Sequence, residues 1–282
     1  MYRMFALFLC VLFTLPLQAT SLSGAKSKPQ MTLLLEFSAQ NAAAYQLQMQ
    51  HWLLVQRAVE PLINIQHEHV SLQRSLELVQ QPGYCAINKM KTPDRLAKLV
   101  FSSKPIHISS SLRLIRLGSS SQQTAVDLAS WLTSSKQLKI GVAGGRSYGE
   151  HLDQLLLQHS AQVYPLTGED VHLKLWQMLQ KGRLDALIDY SFRIENFNSI
   201  QPSARGYSNS LIVGQPLISE GYLVCSHTGH GQSIMALVDQ ALEAAELQQA
   251  LYQSYQQYFS PQEWQTVEPL VRAFYPKAQA NL

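Results

Sequence analysis

The chain is poor in charge: Asp, Glu, Lys and Arg supply 15% of its 282 residues, against about a quarter in ordinary globular domains. With 46% of the residues apolar, this scarcity excludes a charge-driven disordered polymer. The formal net charge is +3, and no basic block of the kind that holds nucleic acid is present. Surface polarity falls instead to uncharged amides, with 31 Gln in the chain. Cysteine is also scarce, at positions 10, 85 and 225 only. Glycine is missing from residues 31–82, which removes the early glycine run that the oxyanion hole of an α/β-hydrolase needs. Beyond the first segment no apolar run reaches the roughly 20 residues of a spanning helix.

Residues 1–19 read MYRMFALFLCVLFTLPLQA. One early cation, Arg3, precedes an apolar run from Met4 to Leu15, then Pro16 and the small Ala19. This is the layout of a secretory signal peptide, with cleavage expected after Ala19 and Ala25 as the other small-residue site. Cys10 follows Leu9 in mid-run, which does not make a lipoprotein site. The mature chain is then expected to be exported and soluble, with Cys85 and Cys225 in an oxidising compartment, the periplasm, where a disulfide is permissible.

The rest alternates strands with helices. Strands are expected at Met31–Phe37, Leu62–His69, Tyr84–Asn88, Leu138–Ala143, Gln162–Pro165, Leu184–Tyr190 and Tyr222–Ser226, with a less regular one at Ile106–Leu117. Helices are expected over Ala42–Ala58, after Ser71, over Asp127–Leu132, after Thr167, over Ile234–Tyr258 and around Gln262–Phe274. Such alternation argues an α/β protein with mostly parallel sheets. The polar break at 119–124 and an irregular stretch at 195–221 suggest a second lobe inserted between two crossings.

The sharpest short motif is Gly145-Arg146-Ser147-Tyr148-Gly149. It fits G-x-S-x-G between a buried strand and a helix, and Asp185, Asp189, His227 and His230 follow in the order of a hydrolase triad. A secreted serine hydrolase using Ser147 is therefore one reading. The plainer one makes Ser147 an N-cap, with Glu150 completing a capping box. A helix start also offers free N–H groups to an anion, and Arg146 adds a forked donor beside them. His67-Glu68-His69 and His227/His230 each offer two metal ligands with no Cys pair adjoining, so solvated histidines and no metal are expected. Trp176 and Tyr252, Tyr255 and Tyr258 are expected to pack rather than bind a cofactor.

Asn88-Lys89-Met90-Lys91-Thr92-Pro93-Asp94-Arg95 runs into Phe101-Ser102-Ser103-Lys104-Pro105. A strand followed by T-x-x-R and F-S-x-x-P resembles the first-lobe signature of type II periplasmic solute-binding proteins, the extracellular family-3 group of ABC transporters. The second lobe is similar in order, with LKIGVAGGRSYGEHLDQLL and then KGRLDALID, and so is the end, with YLVCS and a long helix. The resemblance covers most of 80–260.

It implies an α/β, two-lobed type II periplasmic-binding-protein fold with two interlobe crossing strands. One lobe would be built from 30–110 and 216–282, the other from 111–215. It implies a monomeric binder, not an enzyme, without cofactor, holding a small polar, carboxylate-bearing ligand for uptake through an inner-membrane permease or for a sensor. Arg95 would clamp the ligand carboxylate, or else form an ion pair with Asp94. Ser147 and Arg146 would add anion contacts, Asn88 would line the first-lobe side, and Asp189 or Tyr190 would meet the far end. YCAIN and YLVCS would be neighbours, placing Cys85 beside Cys225, either bridged or as free thiols. The chain departs from the family after its first strand, where SAQNAAAYQ replaces an aromatic, Pro-rich turn. It departs again at Asn88 and Met90, where small hydroxyl residues are usual. A ligand-free adaptor or sensor partner on the same fold is the remaining reading.

Overall fold

The apolar run at Met31 forms strand β1 (Gln30–Leu35), whose Met31, Leu33 and Leu34 are fully buried in a computed structural model of the chain. The structure describes residues 27–118, 125–134 and 137–278; the expected signal peptide, Cys10 and the polar break at 119–124 lie outside them. Strand β1 pairs in parallel with β2 (Asn64–His69) and β3 (Tyr84–Lys89). The short β4 (Leu99–Phe101), β5 (His107–Ser110) and the distant β11 (Ile218–Ser226) complete a six-stranded sheet in the order β2-β1-β3-β11-β4, with β5 also on β11. The five strands between form a second sheet: β6 (Arg113–Leu117), β7 (Ile140–Ala143), β8 (Val163–Leu166), β9 (Ala186–Asp189) and β10 (Tyr207–Leu211), in the order β10-β6-β9-β7-β8.

Helices cover both sheets, as apolar strand faces require. In the first lobe α1 (Gln46–Val59) buries Trp52, Val55 and Val59 against the C-terminal helices. The short α2 (Leu72–Leu78) follows, with Ser71 accepting from Arg74 N as its cap. Next comes α3 (Pro93–Lys98), capped by Thr92. The second lobe carries α4 (Leu128–Thr133), α5 (Glu150–Gln158), α6 (Val171–Gln180) and α7 (Ser191–Ile200). The chain ends with α8 (Gly229–Leu242), α9 (Ala245–Tyr258) and α10 (Pro261–Phe274), back on the first lobe. Among the described residues no helix is long and apolar enough to cross a membrane.

Several local expectations change. The strand expected over Ile106–Leu117 divides at Ser111–Leu112 into β5 and β6, which belong to different sheets. Continuous apolar patterning cannot show where a chain changes lobes. The single helix expected over Ile234–Tyr258 breaks at Glu243–Ala244 into α8 and α9, although both halves share apolar periodicity. The first helix is preceded by a 3-10 segment, Ala39–Tyr45, so α1 starts at Gln46 rather than Ala42. The stretch at 195–221, expected to be irregular, holds most of α7 and β10. The cap of α6 is Asp170 in the left-handed region (φ 52°), not Thr167. The strands are split between two sheets, unlike the single continuous sheet of an α/β-hydrolase.

Cys85 and Cys225 face each other across β3 and β11, 4.1 Å apart at Cα, and are joined by a disulfide. Both are fully buried. The bond closes a loop 140 residues apart in sequence, which contains the entire second sheet. In the chain-entropy account a loop of that size is worth about 4–5 kcal/mol, less any strain. Replacing both cysteines by Ala should therefore lower the denaturant midpoint of unfolding and steepen its slope, because the unfolded chain without the bond exposes more surface. An unchanged midpoint would show that the bond contributes no stability.

Candidate functional site

A cavity of about 60 Å³ lies where the lobes meet. Its first-lobe wall is set by a bulge. Tyr222 and Val224 of β11 pair with Lys89 and Ala86 of β3, so two residues of β3, Ile87 and Asn88, oppose Leu223 alone. Asn88 takes up the extra residue with φ 58°, a left-handed conformation that Asn tolerates better than most. Gly221 permits this: a Cβ there would stand 2.9 Å from Asn88 Cα. Asn88, Lys89 and Met90 all line the cavity.

Arg95 lines it too, from the start of α3. Its Nη1 donates to Met90 O at 3.2 Å, and its backbone N–H to the Thr92 hydroxyl at 3.3 Å. Asp94, the other partner considered for it, pairs with Lys98 at 2.6 Å instead. Burial lowers the Arg95 pKa, and Glu36 and Asp153 oppose that shift. Lys89 is buried and ion-paired with Glu36. The Ser102 hydroxyl accepts from Leu223 N at 3.2 Å and donates to Lys104 O, tying the turn after β4 to β11.

The floor is the ladder of β5 on β11, in which His107 pairs with Gly221 and Ser109 with Ser219. Strand alternation sends His107 and Ser109 to the cavity and Ile108 to the core. Tyr255 OH accepts from Ile108 N at 3.0 Å and fixes the strand from behind. His107 is buried and holds its Nδ1 3.0 Å from His51 Nδ1. Burial pushes the His107 pKa down to about 3.

The second-lobe wall is built around Asp189, which is 1% exposed. Its carboxylate is ion-paired with Arg193, accepts from His172 Nδ1 at 2.9 Å, and lies 3.5 Å from Arg146 Nη1. Burial alone would raise the Asp189 pKa, but Arg193, His172 and Arg146 outweigh it and hold the group well below the carboxylate range. His172 is held down to about 4, by burial first and then by Arg193, against the pull of Asp189. Arg146 packs over the rings of Tyr190 and Tyr148. Arg146, Ser147, Tyr190, His172 and Arg193 line the cavity. Asp189 sits beneath that lining and orients its cations.

Ser147 does not form the expected capping box. Helix α5 begins at Glu150 with Gly149 (φ 94°) as its cap, and no side chain caps it. Ser147 Oγ donates to Asp153 Oδ2 at 2.6 Å, and Tyr148 N donates to Asp153 Oδ1 at 2.7 Å. The left-handed Gly149 displaces Ser147 from the capping position, and Asp153 organises the turn from one helical turn ahead. Among the described residues no histidine is hydrogen-bonded to Ser147, and His230 is engaged with Gln30 O at 2.8 Å.

The departing SAQN segment has its own role. Ser38 N and Asn41 Nδ2 donate to the two carboxylate oxygens of Asp170 at 2.9 and 2.8 Å, and Asn196 Nδ2 donates to Ala44 O at 2.5 Å. These bonds clasp one lobe to the other beside the cavity. Sequence reasoning thus placed Arg95, Asn88, Arg146, Ser147 and Tyr190, which the structure brings to one cavity. It missed Glu36, Lys89, His107, His172, Arg193 and Glu220. Of these, Arg193 was within reach, since it stands four residues after Asp189 at the start of a helix.

Comparison of the sequence with family models and with curated proteins finds no match. The fold matches solved structures. An ancestral arginine-binding protein bound to arginine superposes with a TM-score of 0.60 at 14% identity, over 83% of this chain and 99% of that one. The substrate-binding protein of an amino acid ABC transporter gives 0.58 at 10% identity, over 82% and 99%. A Salmonella typhimurium periplasmic binding protein with high arginine specificity gives 0.52 at 13% identity, over 86% and 98%. The chain therefore has the two-lobed α/β fold of type II periplasmic binding proteins, with β5–β6 and β10–β11 as its two crossings.

The low His pKa values make the cleft acid-sensitive. Unfolded His titrates near 6.5, so between that pH and about 4 the unfolded chain binds more protons than the folded one at His107 and His172. Stability should fall as pH drops through this window. Urea midpoints measured from pH 7 to pH 4 should show the fall, and a His172→Asn variant should show a shallower one. A flat profile would contradict the neutral, buried state of these rings.

Proposed function

We propose that the protein is an exported, periplasmic solute-binding protein that closes two lobes on a small polar, carboxylate-bearing ligand. Its partner would be an inner-membrane permease or a sensor. The observation that carries this reading is the convergence of Arg95 from one lobe with Arg146 and Ser147 from the other on a single interlobe cavity. A guanidinium with free N–H groups at a lobe boundary suits a planar carboxylate, because two parallel charge-assisted bonds form at once. The neighbouring folds are those of amino-acid-binding proteins, which supports the same class. The lobe limits we adopt are 30–110 with 216–282, and 111–215. Ser147 donates to the Asp153 carboxylate and to no histidine among the described residues, so the histidine-based triad of the hydrolase reading has no support in the site.

The test is ligand affinity by calorimetry, with the ligand found by thermal shift against amino acids, small carboxylates and peptidoglycan fragments. Arg95→Ala should weaken binding by about 2–3 kcal/mol, the range of a charge-assisted hydrogen bond. Arg95→Lys should not restore it, since an ammonium lacks the fork. Wild-type affinity in both variants would remove Arg95 from the site.

A further inference from the structure

The cavity has a chemical asymmetry that its charges and its unused donors show together. Four cations line it: Lys89, Arg95, Arg146 and Arg193. The carboxylates that might face a positive group are engaged. Glu36 is ion-paired with Lys89. Asp189 lies under the wall, held by Arg193 and His172. Glu220 accepts from Tyr222 OH at 2.5 Å.

Four buried polar atoms on lining residues make no hydrogen bond among the described residues: Tyr45 Oη, Asn88 Nδ2, His107 Nε2 and Arg146 Nη1, the last lying 3.5 Å from Asp189 Oδ1. Asn88 Nδ2 and Arg146 Nη1 are donors by chemistry, and the Tyr45 hydroxyl can donate. His107 Nε2 is a donor by its tautomer. Gln50 Nε2, an amide donor, lies 3.3 Å from His51 Nε2 and requires that nitrogen to accept. The His51 proton then sits on Nδ1 and is donated to His107 Nδ1 at 3.0 Å. His107 is left with its proton on Nε2. Buried donors without acceptors are uncommon and costly in native proteins. All four belong to one small cavity, in the two lobes and the ladder between them.

We infer that this cleft takes a small oxyanion carrying no ammonium group, rather than an α-amino acid. The inference rests on the solute-binding reading and names its ligand class. Such a ligand offers only acceptor atoms, which the side chains of Tyr45, Asn88 and His107 and the guanidinium forks can meet. An α-ammonium would meet Arg146 and Arg193 where its counter-charge would have to be. A cavity of about 60 Å³ also suits a compact anion, being far below the roughly 300–1,000 Å³ of sites for larger ligands.

The experiment uses matched pairs that differ only in the ammonium. Acetate is set against glycine, propionate against alanine and succinate against aspartate, with sulfate and phosphate as inorganic arms. Binding to the mature chain is followed by calorimetry and thermal shift. The deaminated member of each pair that binds should do so at least about tenfold more tightly, because its partner's ammonium meets like charge in the cleft. The inorganic and organic arms then distinguish the source of the oxyanion.

Asn88→Asp keeps the side-chain shape and the tolerated left-handed backbone but replaces a donor by a negative acceptor. It should weaken the best anion by at least about tenfold, while its unliganded unfolding midpoint reports that it still folds. Amino acids that bind more tightly than their deaminated partners, or an anion whose affinity is unchanged in Asn88→Asp, would overturn this inference and leave the solute-binding reading intact. If no compound of either kind binds at millimolar concentration, the solute-binding reading fails and this inference fails with it.

Discussion

The arrangement depends on four antiparallel residue pairs between β5 and β11, from Ile218–Ser110 to Gly221–His107. This ladder is where the two lobes are joined and is also the floor of the cavity. Because side chains alternate along a strand, the same few residues serve the core on one side and the cleft on the other. Ile108 and Ile218 are buried in the core while His107, Ser109 and Ser219 face the cavity. A hinge made of strands resists sliding through its hydrogen bonds, yet can bend where it leaves each sheet. The clasp of Asp170 on Ser38 and Asn41 adds two further hydrogen bonds between the lobes.

Electrostatics in the cleft follows a consistent economy. Each buried charge is met by a partner close at hand: Lys89 by Glu36, Arg193 by Asp189, and Arg146 by Asp189 and the faces of two tyrosines. Leaving any one unpaired in so closed a space would cost several kcal/mol. The histidines are kept neutral by burial and serve as hydrogen-bonding groups rather than as charges. The second-lobe wall is thus a preformed cationic surface whose orientation is set by a carboxylate that itself stays out of contact.

Much of this was legible from residues alone. The T-x-x-R and F-S-x-x-P spacing marked a first lobe, the buried runs marked strands, and the candidates Arg95, Arg146, Ser147, Asn88 and Tyr190 line one cavity. Cys85 and Cys225 could be set side by side once the two crossings were assumed. The misreadings have specific causes. A capping box at Ser147 and Glu150 was defeated by the left-handed turn at Gly149, which a residue pattern does not report. The unbroken apolar pattern from 106 to 117 concealed the step from one sheet to the other.

Asp189 shows the division most clearly. The family resemblance marked it as a residue that would meet the far end of a ligand. Which charge it meets depends on Arg193 one helical turn later, on His172 from α6 and on Arg146 from the turn before α5, and only packing brings these three together. Local propensity and apolar periodicity, which act over a few residues, fixed the strands, helices and fold class. The sign of the cleft, the pairing of its charges and the donors it leaves unused arise between residues far apart in the chain. Those properties were decided by the tertiary structure, because the energy of a buried charge is set by its neighbours in space.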